Sequence, residues 1–149
     1  MKQILIATDG SPSAHEAVDV GLELAKDQGA DVTFVHVVDA DEFHGGRLGT
    51  VPITHSEPVD ESETVLKEAG DAAEATGVSC SLERIAGETV DSIVAIADTK
   101  NVDLIVLGSR GRNAVTSALL GSVSHGVLRQ ASRPVLVVKT AKTPAETTA

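Results

Sequence analysis

Short apolar runs and helix-spaced apolar stripes alternate along this chain from one end to the other. The run "ILIA", Ile4 to Ala7, is continuous rather than alternating, which is the pattern of a strand covered on both faces. Ser11-Pro12 then offers an N-cap followed by proline in the first helical position, and Ser13 with Glu16 has the spacing of a capping box. Ala14, Ala17, Val18, Gly21, Leu24 and Ala25 recur at helical spacing until Gly29 closes the helix. "DVTFVHVV", Asp31 to Val38, predicts the second strand.

From Asp39 to about Glu57 the pattern dissolves into a glycine-containing polar loop, of a length that is usually either functional or disordered. Ser62, Val65, Leu66, Ala69, Ala73 and Thr76 mark a second helix ending near Gly77. "VSCSLERIA", Val78 to Ala86, predicts a strand with Val78, Cys80 and Leu82 facing inward, Cys80 as inert packing. Val90, Ile93, Val94 and Ala97 predict a third helix capped by Thr89, followed by the buried strand "DLIVLG". A last helix lies within "VTSALLGSVSHGVLRQAS" and starts as late as Ser122. "RPVLVVK", Arg133 to Lys139, is the final strand, with Pro134 suited to a strand start. Residues 140–149 read as a small, polar, disordered tail after a domain spanning 1–139.

Five strands separated by helices long enough for crossovers predict an α/β fold, a doubly wound three-layer sandwich around a five-stranded parallel sheet. The strand order 3-2-1-4-5 cannot be read from periodicity and is assumed at this point.

Composition narrows the class. The 149 residues are 42% hydrophobic, but no apolar stretch approaches a bilayer span. The N-terminal residues read as a strand and lack the zones of a signal peptide, so a cytoplasmic location is expected, with no membrane partner. Twenty-two acids against twelve bases leave a net charge of −10, which argues against nucleic acid as partner. That balance suits either a halophile's salt-rich cytoplasm or an ordinary acidic protein. The lone Cys80 has no partner for a disulfide and no metal-ligand companions.

Candidate chemistry gathers at two strand ends, where ligands of open α/β sheets bind. One is "ATDGS", Ala7 to Ser11; the other is "GSRGRNAVTSALLGSV", Gly108 to Val123. Gly108 would let the chain turn off the strand, and Gly111 would take positive φ or admit a ligand closely. Gly121-Ser122 stands where a helix begins, so backbone N–H groups and a hydroxyl can meet phosphate oxygens there, unless the pair is plain capping. Arg110 and Arg112 either add positive charge beside that site or are solvated loop arginines. Asp9 either caps the following helix or meets a nucleotide hydroxyl or a cation. The stretch is neither a Walker A loop nor a dinucleotide G-x-G-x-x-G.

"ILIATDGSPSA", "HVVD" and "DLIVLGSRGRNAVTSALLGSVSHGVLRQASRPVLVV" together resemble the universal stress protein family over Lys2 to Val138, most weakly between Ala40 and Leu66. The most specific element is the spacing G-x2-G-x9-G-[ST], met by Gly108, Gly111, Gly121 and Ser122, which in that family marks the ATP-binding subgroup. The resemblance implies strand order 3-2-1-4-5 and a homodimer formed through Val135 to Val138. It implies that Ala7 and Thr8 line the base and that the Val37 backbone meets adenine. Asp9 would contact ribose or a Mg2+ or Mn2+ ion held with the nucleotide. Gly108, Arg110, Gly111 and Gly121, with Ser122, Val123 and Ser124, would surround ribose and phosphates of ATP, ADP or AMP.

Other chemistry finds no support. His15, His36, His44, His55 and His125 lack metal spacing; His36 reads as a satisfied core or face residue and His125 as helix surface. Ser109 lacks the G-x-S-x-G context of a nucleophile, and "TDGSPS" lacks the "SGGxDS" loop of pyrophosphatase-like relatives of the fold. The expectation is a regulatory or stress-response ATP-binding protein with little or no hydrolysis. A nucleotide-independent dimeric interaction module and a slow ATPase stand as alternatives.

Overall fold

The computed structural model describes residues 1–38, 61–110 and 120–139. The long segment after Val38, Gly111, Arg112 and the tail 140–149 therefore lie outside the described residues. Strands β1 (Gln3–Ala7), β2 (Asp31–Val38), β3 (Cys80–Ala86), β4 (Leu104–Gly108) and β5 (Val135–Val138) alternate with helices α1 (Pro12–Gln28), α2 (Glu61–Thr76), α3 (Thr89–Thr99) and α4 (Ser122–Gln130). All pairings are parallel, in the order β3-β2-β1-β4-β5.

The continuous apolar runs belong to the inner strands. Ile4, Leu5 and Ile6 of β1 and Ile105 and Val106 of β4 are wholly buried, because helices cover both faces of the sheet there. On one face Ile4, Ile6, Val32, Phe34 and Val106 meet α1 and α2 through Val18, Leu22, Leu66 and Ala73. On the other, Leu5, Val35, Ile105 and Leu107 meet Ile93, Ile96 and Ala97 of α3 and Val127 of α4. Leu22, which the α1 stripe did not include, is 2% exposed. Ser11 caps α1 as expected, its hydroxyl accepting from the Ala14 amide, with Pro12 next and Gly29 closing the helix at φ 65°.

Three local expectations are corrected. Cys80 and Leu82 do not face a core: both are exposed, Leu82 at 45%. β3 is an edge strand, and the residue of α2 beside Leu82 is Gly70, which has no side chain to cover it, so this face of the edge is incompletely covered. Helix α3 is capped by Glu88, not Thr89; the Glu88 carboxylate accepts from the amides of Val90 and Asp91 at 3.1 and 2.6 Å. Ser13 lies inside α1 and caps nothing there; its hydroxyl serves another element, described below.

The N-terminal entry to the sheet is tied electrostatically. Asp103 accepts from the amides of Lys2 and Gln3 at 2.7 and 3.0 Å, and these two bonds hold its carboxyl below the ordinary range. Since the folded state lowers this pKa, the stabilisation is complete above the unfolded value of about 3.9 and is lost as pH falls through the folded one. Asp103→Ala should therefore shift the urea midpoint more at pH 7 than at pH 2.5. An equal shift at both would mean the carboxylate charge contributes nothing.

Candidate functional site

The strand order brings the two candidate segments together. β1 and β4 are adjacent, with Ile4, Leu5 and Ile6 beside Leu104, Ile105 and Val106. After β1 the chain enters α1, on the face shared with α2; after β4 it leads to α4, on the face shared with α3. The chain thus departs in opposite directions from neighbouring strands, which opens a crevice at their carboxyl ends.

The β1 side of the crevice is the Thr8–Ser11 turn. The Thr8 amide donates to the Val35 carbonyl at 3.0 Å, so β1 stays tied to β2 one residue past its end. The Gly10 amide meets the Thr8 hydroxyl at 3.3 Å, and the Ser11 amide donates to Asp9 Oδ1 at 2.9 Å. Gly10 takes φ +79°, and a Cβ there would lie 2.8 Å from Val65 Cγ2 of α2. The "TDGS" stretch thereby needs glycine on two counts, a requirement the turn dipeptide Asp-Gly already signals. Asp9 shapes this turn, while the capping of α1 belongs to Ser11.

The β4 side is built around Ser109, which is 3% exposed. Its amide donates to the Val138 carbonyl of β5 at 2.9 Å, and its carbonyl accepts from the Gly121 amide at 2.6 Å. The Ser124 hydroxyl lies 3.1 Å from the carbonyl oxygens of both Ser109 and Gly121. Gly121 is the N-cap of α4, and as glycine it has no side chain to accept from the first amides of the helix. The amides of Ser122, Val123 and Ser124 precede the first intrahelical bond, from His125 to the Gly121 carbonyl at 3.0 Å. Serine and glutamate side chains bond the corresponding groups at the starts of α1 and α3. An uncapped helix start carries partial positive charge and directed donors, a setting for anions.

Ser13 joins the two sides. Its hydroxyl accepts from the Arg110 amide at 3.3 Å. Gly108 is required by this approach rather than by its own torsion: its φ is not left-handed, but a Cβ would lie 2.7 Å from the carbonyl carbon and oxygen of Ser13. No spacing rule would have marked Ser13, since the contact spans 97 residues.

Ala7, Thr8, Asp9, Gly108, Arg110 and Gly121–Ser124 thus sit on the two turns at the β1 and β4 ends, with Val37 near the end of the adjoining β2. Gly111 is outside the described residues. Arg110 and Ser122 are exposed, Val37 and Val123 half-buried, and Ser124 is buried with its hydroxyl turned to the Ser109 carbonyl. His125 is exposed on α4, in keeping with a helix-surface residue. Among the described residues, no three His, Cys, Asp or Glu side chains converge to hold a metal, and no helix is long and apolar enough to cross a membrane.

Comparison with known proteins agrees with this architecture. The family model for the universal stress protein family matches residues 1–139. The universal stress protein MJ0531 of Methanocaldococcus jannaschii is 37% identical over 142 residues, covering 95% of this chain and 84% of that protein. A universal stress protein solved in complex with cAMP aligns at a TM-score of 0.71 and 28% identity, covering 94% of this chain and 98% of that one. One from Archaeoglobus fulgidus in complex with dAMP aligns at 0.69 and 25%, covering 93% and 98%. Strand order, strand-end turns and sequence lead to one assignment: this chain belongs to the universal stress protein family.

Proposed function

We propose that the protein binds an adenine nucleotide, ATP in its physiological form, in the crevice between the Thr8–Ser11 turn and the start of α4. The observation that carries this reading is the uncapped α4 start, fastened to the β4 exit beside the end of β1. The cAMP and dAMP complexes of two structural neighbours support adenine-nucleotide chemistry. The spacing of Gly108, Gly111, Gly121 and Ser122 supports the triphosphate form.

In this reading Ala7 and Thr8 line the base and the Val37 backbone meets adenine. Gly108, Arg110 and Gly111 border the ribose and inner phosphates. Gly121 borders the phosphates, and the amides of Ser122, Val123 and Ser124, with the Ser122 hydroxyl, take phosphate oxygens. Asp9 meets the ribose or shares a Mg2+ or Mn2+ ion whose other oxygens come from the nucleotide and water. With Asp9 Oδ1 accepting from the Ser11 amide, the carboxylate is partly committed to the turn, which suits holding ATP better than activating water. Occupancy then acts as a regulatory signal read by partners, and the protein pairs with a second copy along β5. Val135, Leu136 and Val137 of that edge strand are half-buried in the single chain, which supports the pairing.

Mass analysis of small molecules released on denaturing the purified protein tests the reading. The expected result is a stoichiometric adenine nucleotide, with ATP predominating. An empty protein that also shows no ATP binding by calorimetry would overturn it in favour of a nucleotide-independent interaction module.

A further inference from the structure

His36 follows Val35 in β2 and is 8% exposed, and the nucleotide contacts above give it no part. Its Nδ1 lies 2.9 Å from the Thr8 carbonyl oxygen. A carbonyl only accepts, so Nδ1 carries the proton. The Thr8 residue is therefore gripped twice by consecutive residues of β2, its N–H by Val35 and its C=O by His36. In a trans peptide the carbonyl and the next N–H point in opposite directions, and the described chain has no cis bond. Fixing the Thr8 carbonyl therefore fixes the Thr8–Asp9 peptide plane and the direction of the Asp9 amide. Beyond that plane, short-range bonds from the Gly10 amide to the Thr8 hydroxyl and from the Ser11 amide to Asp9 shape the turn, with Val65 beneath Gly10.

We propose that His36 is a positioning residue of the nucleotide site, its Nδ1–H holding the Thr8 carbonyl and so setting the turn that meets the ligand. This rests on the nucleotide-binding reading, and the experiment separates the two. His36→Phe keeps a ring and loses the donor; His36→Asn places an amide N–H the same number of bonds from Cα as Nδ1.

In the nucleotide-free protein, the Gly10 and Ser11 amides of His36→Phe should exchange hydrogen about tenfold faster than wild type, and His36→Asn should restore most of their protection. ATP affinity should fall about tenfold in His36→Phe and recover in His36→Asn. Unchanged exchange and affinity in His36→Phe, or equal losses in both variants, would overturn the inference. Failure of wild type to bind ATP would overturn the nucleotide reading and with it the ligand role of His36, while the exchange data would still show whether His36 sets the turn. Imidazole 15N spectra of wild type require no variant: the expected species carries its proton on Nδ1, and the Nε2–H tautomer would overturn the inference even if both variants failed to fold.

Discussion

Phe34→Ala should reduce the unfolding free energy by about 3–5 kcal/mol, the usual cost of emptying a phenylalanine site in a packed core. Phe34 has no exposed surface and stands on β2 in one cluster with Ile4 of β1 and Leu66 and Ala73 of α2, so a strand and a helix from different parts of the chain lose a common partner. A loss of that size lowers the melting temperature by roughly 6–20 °C in a domain of this length. Leu82→Ala, one strand away, should cost less than about 1 kcal/mol because nearly half of that side chain is already in water. Urea unfolding of both variants checks the pair. Equal losses would show that α2 covers the edge strand as fully as it covers β2.

The second large effect is expected from the smallest change. Gly108→Ala sets a methyl group 2.7 Å from the backbone of Ser13, and no rotamer can move a main-chain carbonyl aside. Either the start of α1 or the end of β4 must shift, at a cost at the upper end of the roughly 1–3 kcal/mol seen for overpacking. Gly21 is a useful control. A Cβ there meets Ile6 Cδ1 at 2.5 Å and Cγ1 at 3.0 Å, so the buried Ile6 must re-rotate, but side-chain rather than main-chain atoms are displaced and alanine gains about 1 kcal/mol of helix propensity. Thermal melts should therefore rank Gly108→Ala well below Gly21→Ala. Because the displaced groups belong to the two turns of the crevice, Gly108→Ala should also weaken ATP binding at least about tenfold, the equivalent of 1.4 kcal/mol. A stable Gly108→Ala protein with unaltered ATP affinity would refute both the close contact and its connection to the site.

The inner sheet was legible from sequence because its strands are covered on both faces. Such burial leaves no polar alternation to misread, and Asp31–Val38 is bounded in the structure as its pattern predicts. The edge was not. "VSCSLERIA" alternates, but alternation says only that two faces differ, and an edge strand with partial cover exposes its apolar positions too. Thr89 is the cap that sequence favours, since helix starts favour short side chains; Glu88 serves instead because its two carboxylate oxygens reach the Val90 and Asp91 amides separately. At the site, glycine spacing and chain order pointed to the ends of β1 and β4, which the strand order places side by side. The links that align those ends, Ser13 to Arg110 and His36 to Thr8, join residues 97 and 28 positions apart, and such pairs leave no periodic trace in one sequence.

The bond from the Gly121 amide to the Ser109 carbonyl brings together the two feet of the stretch that runs from β4 to α4. The two feet are further secured by β5 at Ser109 and by the Ser124 hydroxyl at Gly121. One buried residue, Ser109, therefore couples three elements: a displacement of the α4 start is transmitted through its carbonyl to the end of β4 and through its amide to β5.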